Sequence, residues 1–225
     1  MVMTRVKRLA VKVAMLSLVV GVAAIAGMAS AQVAQAGASS DDARLVSQIT
    51  SRLAQASGIR AQFKQTQTLA ALKAPLVSTG TLLFLRERGV IWQIDTPVRT
   101  TYVITDGGVT QIDASGKRTV RAARSAGGVA QVSRMMRAML GGDLSALYSQ
   151  FDVAASGTPG AWRMQLTPNQ PQLAQRLKGL RMEGGDDLRT LTIESANGDA
   201  TRIDFTGSTA VVEPTSAERA LFGAN

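Results

Sequence analysis

Cysteine and histidine are both absent from the 225 residues, and aromatic side chains are few, with two Trp, two Tyr and five Phe. Without cysteine there is no disulfide, no thiolate nucleophile and no thiol metal site. Without histidine there is no Ser-His-Asp triad, and no side chain whose ordinary pKa lies near neutrality for acid–base work. Paired carboxylates remain as a catalytic device. Asp41-Asp42, however, stands at a predicted helix start, and Asp186-Asp187 follows Gly184-Gly185 in a turn, so capping and turn formation account for both pairs. A Ser-x-x-Lys dyad motif does not occur. The sequence therefore points to no catalytic residue, no metal ligand and no cofactor, and stability must come from an apolar core.

The N-terminus reads as a secretory signal. Met1 to Arg8 carries Arg5, Lys7 and Arg8 without an acid, and Leu9 to Ala29 is apolar apart from Lys12 and Ser17. Cleavage after Ala31 or after Ala36 fits the small-x-small rule. The alternative is a retained anchor, because the apolar run approaches the ~20 residues that a spanning helix needs. No cysteine follows the run, so the mature chain is not acylated and is expected to be a soluble periplasmic monomer. The domain expectation is a signal over residues 1–31, a leader over 32–40, one domain over 41–213 and a tail over 214–225.

Charge narrows the partners. Lys and Arg number 25 against 16 Asp and Glu, and removing residues 1–31 takes away four basic residues and no acid, lowering the formal charge from +9 to +5. The basic residues are scattered singly rather than gathered into a stripe with stacking aromatics, which argues against nucleic acid. A solvated surface, or steering towards acidic partners, suits a charge of this size.

Periodicity supplies the elements. Leu45, Val46, Ile49 and Leu53 recur at helical spacing, predicting a helix from Asp41 to Ser57 that stops at Gly58, with Ser39 and Asp42 spaced as a capping box. From Ile59 the period shifts towards two. Strands are predicted at 59–69, 77–86, 90–95, 99–105, 109–113 and 118–122, each bounded by Gly, Asp or Pro turn signals. Val129, Val132, Met136, Met139 and Leu140 then form a helical apolar stripe, broadened by Met135, and a short helix is predicted over 144–150. Strands resume at 160–167, 180–183, 188–196 and 200–207. The fold class that satisfies this pattern is mainly β with α: an incomplete, curved antiparallel barrel of about ten strands, with a lid of short helices over its apolar concave face. A sheet that wide encloses more space than its own side chains fill, so a ligand cavity is expected, with a fully packed core as the alternative.

The densest information lies between Phe63 and Gly107. Phe63-Lys-Gln65 opens the segment, Gly80-Thr-Leu82 begins a strand that ends in Arg86, and Trp92 precedes Pro97. This order resembles the outer-membrane lipoprotein carrier (LolA-like) family, whose pattern is an F-x-Q strand, a G-x-L strand ending in Arg, and a W strand closing with x-x-P. Glu87 stands where the family usually has Pro, which suggests a divergent member. The resemblance implies an unclosed barrel with a helical lid, a cavity that takes lipoprotein acyl chains, an inner-membrane transporter as donor, an outer-membrane acceptor, and no catalysis. For divergent relatives it implies other envelope lipids as cargo. A lipid-sensing regulatory protein on the same half-barrel is the alternative, and an enzyme acting on acyl chains lacks an identifiable nucleophile–base pair.

Alternation assigns the candidate lipid-binding residues. The inward set comprises Leu82 and Phe84, Val90, Trp92 and Ile94, and Tyr102 and Ile104, with Met136, Met139 and Leu140 facing them from the lid. Later strands add Trp162, Met164 and Leu166, then Leu191 and Ile193, then Ile203 and Phe205. Unbranched methionines suit a lid that repacks around flexible chains, although such a stripe also suits plain core, as do both tryptophans. Arg86 falls on the face of Leu82 and Phe84. A guanidinium there needs acceptors, since it keeps its proton. Carbonyls at the ends of lid helices would make it a latch, the role the resemblance implies; pairing with Glu87, or reaching solvent at the barrel rim, are the alternatives. Phe63 is expected to be structural, under the N-terminal helix. The Leu72-Lys-Ala-Pro-Leu76 hairpin tip reads as a loop or as a contact with a membrane or partner.

Overall fold

In the computed structural model, which describes residues 40–122 and 144–223, eleven strands form one curved antiparallel sheet. Helix α1 (Ser40–Leu53) leads into a six-stranded meander: β1 (Gly58–Thr68), β2 (Leu76–Leu85), β3 (Gly89–Thr96), β4 (Thr100–Thr105), β5 (Gly108–Ile112) and β6 (Arg118–Ala122). After α2 (Leu144–Tyr148) come β7 (Phe151–Thr158), β8 (Ala161–Pro168), the single turn α3 (Pro171–Ala174), β9 (Leu177–Gly184), β10 (Leu188–Ser195), β11 (Ala200–Ala210) and α4 (Ser216–Leu221). The spatial order is β6-β5-β4-β3-β2-β1-β11-β10-β9-β8-β7. Two meanders therefore meet at the centre through β1 and β11, while β6 and β7 remain as edges, so the sheet is open rather than a closed barrel.

Strand β7 is the element the sequence reading lacks. Phe151, Val153 and Ala155 do alternate with Asp152, Ala154 and Ser156, and the first three are buried. Half of the positions are Ala, Ser or Gly, whose small side chains mute the alternation. The strand is held by pairing along the full length of β8, from Phe151 opposite Pro168 to Thr158 opposite Ala161.

Helix α1 buries Val46, Ile49, Thr50 and Leu53, one stripe at helical spacing, with Asp41 and Asp42 in its first turn and Arg52 in its last, where the helix dipole favours them. It ends four residues before the expected Ser57. Beyond Leu53 the chain's carbonyls accept hydrogen bonds from Arg86 instead of continuing the helical ladder: the Arg86 guanidinium donates to Ala54 and Ala56, and its backbone N–H donates to Ser57 at 3.0 Å. Ser39 and the stripe from Val129 to Leu140 lie outside the described residues.

The sheet carries a core on each face. On the concave side, Val46, Ile49 and Leu53 of α1 and Leu147 of α2 close over Phe84, Met164, Leu166, Leu180 and Met182, all nearly inaccessible to solvent. On the convex side Leu83, Leu85, Ile91, Val103 and Val211 form a second cluster, against which Leu221 and Phe222 of the C-terminal segment rest. The residues expected to be a simple tail thus include a helix. A capping box fixes its start, because the Thr215 side chain accepts from the Glu218 N–H while the Glu218 carboxylate accepts from the Thr215 N–H at 2.7 Å. Arg60 on β1 holds the same carboxylate with both oxygens engaged, at 2.7 and 2.9 Å. Thr215-x-x-Glu218 was present in the sequence as the signal for this helix.

Candidate functional site

Register places the concave side chains in rows that cross the sheet. Ala61 lies opposite Leu82, Leu82 opposite Trp92 and Trp92 opposite Tyr102. In the next row Phe205 faces Phe63, Phe63 faces Gly80 and Gly80 faces Ile94. A further row runs Met164, Met182, Leu191, Ile203, Gln65 and Ser78. Every described residue of the inward set falls on this one face. Leu82, Phe84, Val90, Trp162, Met164, Leu166, Leu191, Ile203 and Phe205 are buried members of a single cluster, with Trp92, Ile94, Ile104 and Ile193 partly buried against it. Tyr102 and Val109 form a satellite that shares Trp92, Ile94 and Ile104. Met136, Met139 and Leu140 lie outside the described residues.

Coverage of the face is uneven. Helix α1 packs on β7, and the β7–β9 side beneath it is sealed: Met164, Leu166 and Met182 have no exposed surface. The β3–β4 side keeps Trp92, Ile94 and Ile104 only half-buried. The candidate site is this half of the concave face.

The two tryptophans separate accordingly. Trp162 is buried, its indole N–H donates to the Gly185 carbonyl at 2.8 Å, and Gly184 passes so close that any β-carbon there would collide with the ring. It is locked core. Trp92 is half-buried, stacked on Phe63 with ring centroids 4.0 Å apart and planes inclined by 27°, and met edge-on by Phe205 at 6.4 Å. Phe63 reaches Trp92 across β2 because Gly80, its partner on β2, offers no side chain. Phe63 is therefore part of the site wall, a role the sequence reading confined to packing under the helix.

Polar groups are sparse on this half. Burial raises the Tyr102 hydroxyl above its ordinary pKa, with the Arg121 guanidinium of β6 pulling in the opposite direction. Tyr102 thus stays neutral across the physiological range. Gln65 and Gln67 of β1 also face inward, following Ala61 and Phe63 at period two, and both are buried.

Arg86 lies one residue past the end of β2 and is exposed, so the cation stands at the rim rather than within the apolar surface. Alternation carries Leu82 and Phe84 inward, but the strand stops before Arg86. Its guanidinium donates to the carbonyls of Ala54 and, at 3.1 Å, Ala56, just past the C-terminus of α1, where the helix dipole places partial negative charge. The hairpin tip between β1 and β2 is tied to the β10–β11 turn by the Ala70 N–H, which donates to the Asp199 carboxylate at 2.9 Å, and Leu72 is 48% exposed on it.

Among the described residues no helix is long and apolar enough to span a bilayer, and no group of three metal-ligating side chains occurs. Comparison with curated protein sequences finds no match. Among solved structures, the chain is similar to the LolA superfamily protein NE2245 from Nitrosomonas europaea, at 7% identity, with 77% of this chain and 94% of that one covered and a TM-score of 0.44. It is also similar to MucB in the Pseudomonas aeruginosa MucA/MucB complex, at 15% identity, covering 80% of this chain and 60% of that one, with a TM-score of 0.45. A third is a putative outer membrane lipoprotein-sorting protein domain from Vibrio parahaemolyticus, at 8% identity, with coverage of 79% and 96% and a TM-score of 0.41. The family model described as "Outer membrane lipoprotein carrier protein LolA-like" matches residues 36–222, well over half of the chain, and the protein belongs to that family.

Proposed function

We propose that the protein is a non-catalytic periplasmic carrier that holds the acyl chains of lipoproteins or other envelope lipids against its concave face and shuttles them towards the outer membrane. An inner-membrane transporter would be its donor and an outer-membrane component its acceptor. The observation that carries the reading is the unevenly covered apolar face: one continuous surface, sealed under α1 but half-open at Trp92, Ile94 and Ile104. Apolar surface left partly uncovered on a well-packed domain marks a binding site. Family membership supplies the cargo class.

The energetics suit such a task. Each buried methylene contributes ~0.8 kcal/mol to membrane anchoring, so one long chain is held by roughly 10 kcal/mol, and a carrier must offer comparable apolar burial to extract it. Release then requires a switch. Arg86 would supply it: its hydrogen bonds to the Ala54 and Ala56 carbonyls fasten the segment just past α1 to the end of β2 and must open if that end of the helix is to move.

The test is native mass spectrometry of protein purified from its own periplasm, with extraction and identification of the bound lipid. A stoichiometric acyl species is the expected result. Protein that carries none and takes up no acyl chain or hydrophobic probe in vitro overturns the reading.

A further inference from the structure

Gln65 and Gln67 are only 9% and 8% exposed, both project from β1 into the concave face, and neither side chain has a hydrogen-bond partner among the described residues. That is unusual on physical grounds. A buried carboxamide has two N–H donors and a carbonyl acceptor, and leaving them unmade is costly, so buried polar side chains are normally paired. Replacing both by leucine would fit the alternation of β1, yet two amides stand side by side on one face.

Their surroundings define a polar pole to the groove. Gln65 lies opposite Ile203 on one side and Ser78 on the other, and Gln67 lies opposite Thr201 and Leu76. Towards the start of β1 the same column continues as Phe63 and Ala61, next to Leu82 and Trp92. The column is thus aromatic and aliphatic at one end and amide at the other. A molecule lying along it would need a long apolar part followed by groups that accept and donate hydrogen bonds without carrying charge, since no cation or carboxylate stands opposite either glutamine in the register.

We infer that Gln65 and Gln67 bind the carbonyl linkages of a two-chain acyl lipid, each amide N–H₂ donating to an ester or amide carbonyl while the chains lie over Phe63 and Trp92. Residues i and i+2 on one strand face are about 7 Å apart, a separation that paired acyl carbonyls on a three-carbon backbone can span. The inference rests on the carrier reading and adds that the protein recognises how the chains are attached, not only that they are apolar. A diacylglyceryl-modified peptide and a glycerophospholipid share this linkage.

The experiment is displacement of a fluorescent hydrophobic probe from the mature protein by matched ligands: a 1,2-diacylglycerol, its 1,2-dialkyl ether analogue without carbonyls, a diacylglyceryl-cysteine peptide and phosphatidylglycerol, all with the same chain length. Wild type should bind the ester at least roughly tenfold more tightly than the ether, the equivalent of about one buried hydrogen bond lost. Gln65→Leu/Gln67→Leu should bind the ether at least as well as wild type and show no preference. Ester and ether binding equally to wild type overturns the inference and leaves the carrier reading standing, and this comparison needs no variant to fold. Displacement by none of the ligands overturns both. A linkage preference that survives in the folded double variant also overturns the assignment to these residues. Preference for the lipopeptide over phosphatidylglycerol, or the reverse, identifies which source of the linkage the protein serves.

Discussion

Phe63 and Trp92 stack across β2 over a strand position that has no side chain, Gly80, and this pair forms the wall between the sealed and half-open parts of the concave face. Trp92 is the member with exposed surface, whereas Trp162 is fixed by its hydrogen bond to Gly185. Acyl ligand entering the half-open part should therefore change the emission of Trp92 and leave Trp162 unaffected. With two tryptophans in the chain, Trp92→Phe and Trp162→Phe each isolate one indole. A binding response that survives Trp92→Phe, or that is absent from Trp162→Phe, would place the ligand elsewhere.

Gly80 itself is predicted to be intolerant of any side chain. A β-carbon there would stand 1.8 Å from the Gln93 carbonyl oxygen on β3, at a register shift where the two backbones approach closely. Backbone cannot rotate out of the way, so Gly80→Ala should destabilise the fold by about 3 kcal/mol, the upper part of the range for overpacking. Urea denaturation measures it; a change below about 1 kcal/mol would show that β2 and β3 are less closely apposed.

The convex face yields a pH dependence. Partial burial raises the Glu218 pKa, but the hydrogen bonds from Arg60 and Thr215 outweigh it and hold the carboxyl below its ordinary value. A carboxylate with a depressed folded pKa contributes stability above its unfolded value, about 4.3, and loses it as pH falls through the folded pKa. Glu218→Gln should lower stability at pH 7 by about 1 kcal/mol. Its acid unfolding profile should also be flatter than that of wild type below about pH 4.3. Asp204, lowered by its hydrogen bond from Arg202, supplies part of the slope that remains. Superimposable profiles would mean that α4 does not depend on the Arg60–Glu218 pair.

Much of this was legible in the sequence because both meanders obey period two. The inward assignment of Leu82, Trp92, Met164, Leu191 and Ile203 needs only alternation and one fixed face. Three features were not legible, for different reasons. Strand β7 has small side chains that weaken its own pattern and relies on β8. The convex core is invisible to a reading that grants each strand one apolar face, since Leu83, Leu85 and Ile91 are buried by a helix more than a hundred residues away in sequence. Gln65 matched a family motif, but that it and Gln67 are buried without partners among the described residues emerges only in three dimensions.

The position of Arg86 at the rim sets the last prediction. Its guanidinium donates to two carbonyls just beyond α1, an arrangement that favours the helix end staying docked. Because the site is exposed, solvent competes for these bonds, and their net contribution to the closed state is about 1 kcal/mol. If lipid entry requires that end of α1 to lift, Arg86→Leu removes this contribution from the empty, closed protein alone. The equilibrium then shifts towards the loaded form by roughly fivefold. The variant should stay folded, bind acyl lipid more tightly, and release a labelled lipid to acceptor vesicles more slowly than wild type. Both bonds leave a single nitrogen, Nη2, so Arg86→Lys, which keeps the charge and one many-donor nitrogen on a shorter, unconjugated arm, should fall between them. Equal release rates for all three proteins would leave the groove as the binding site and remove Arg86 from its control.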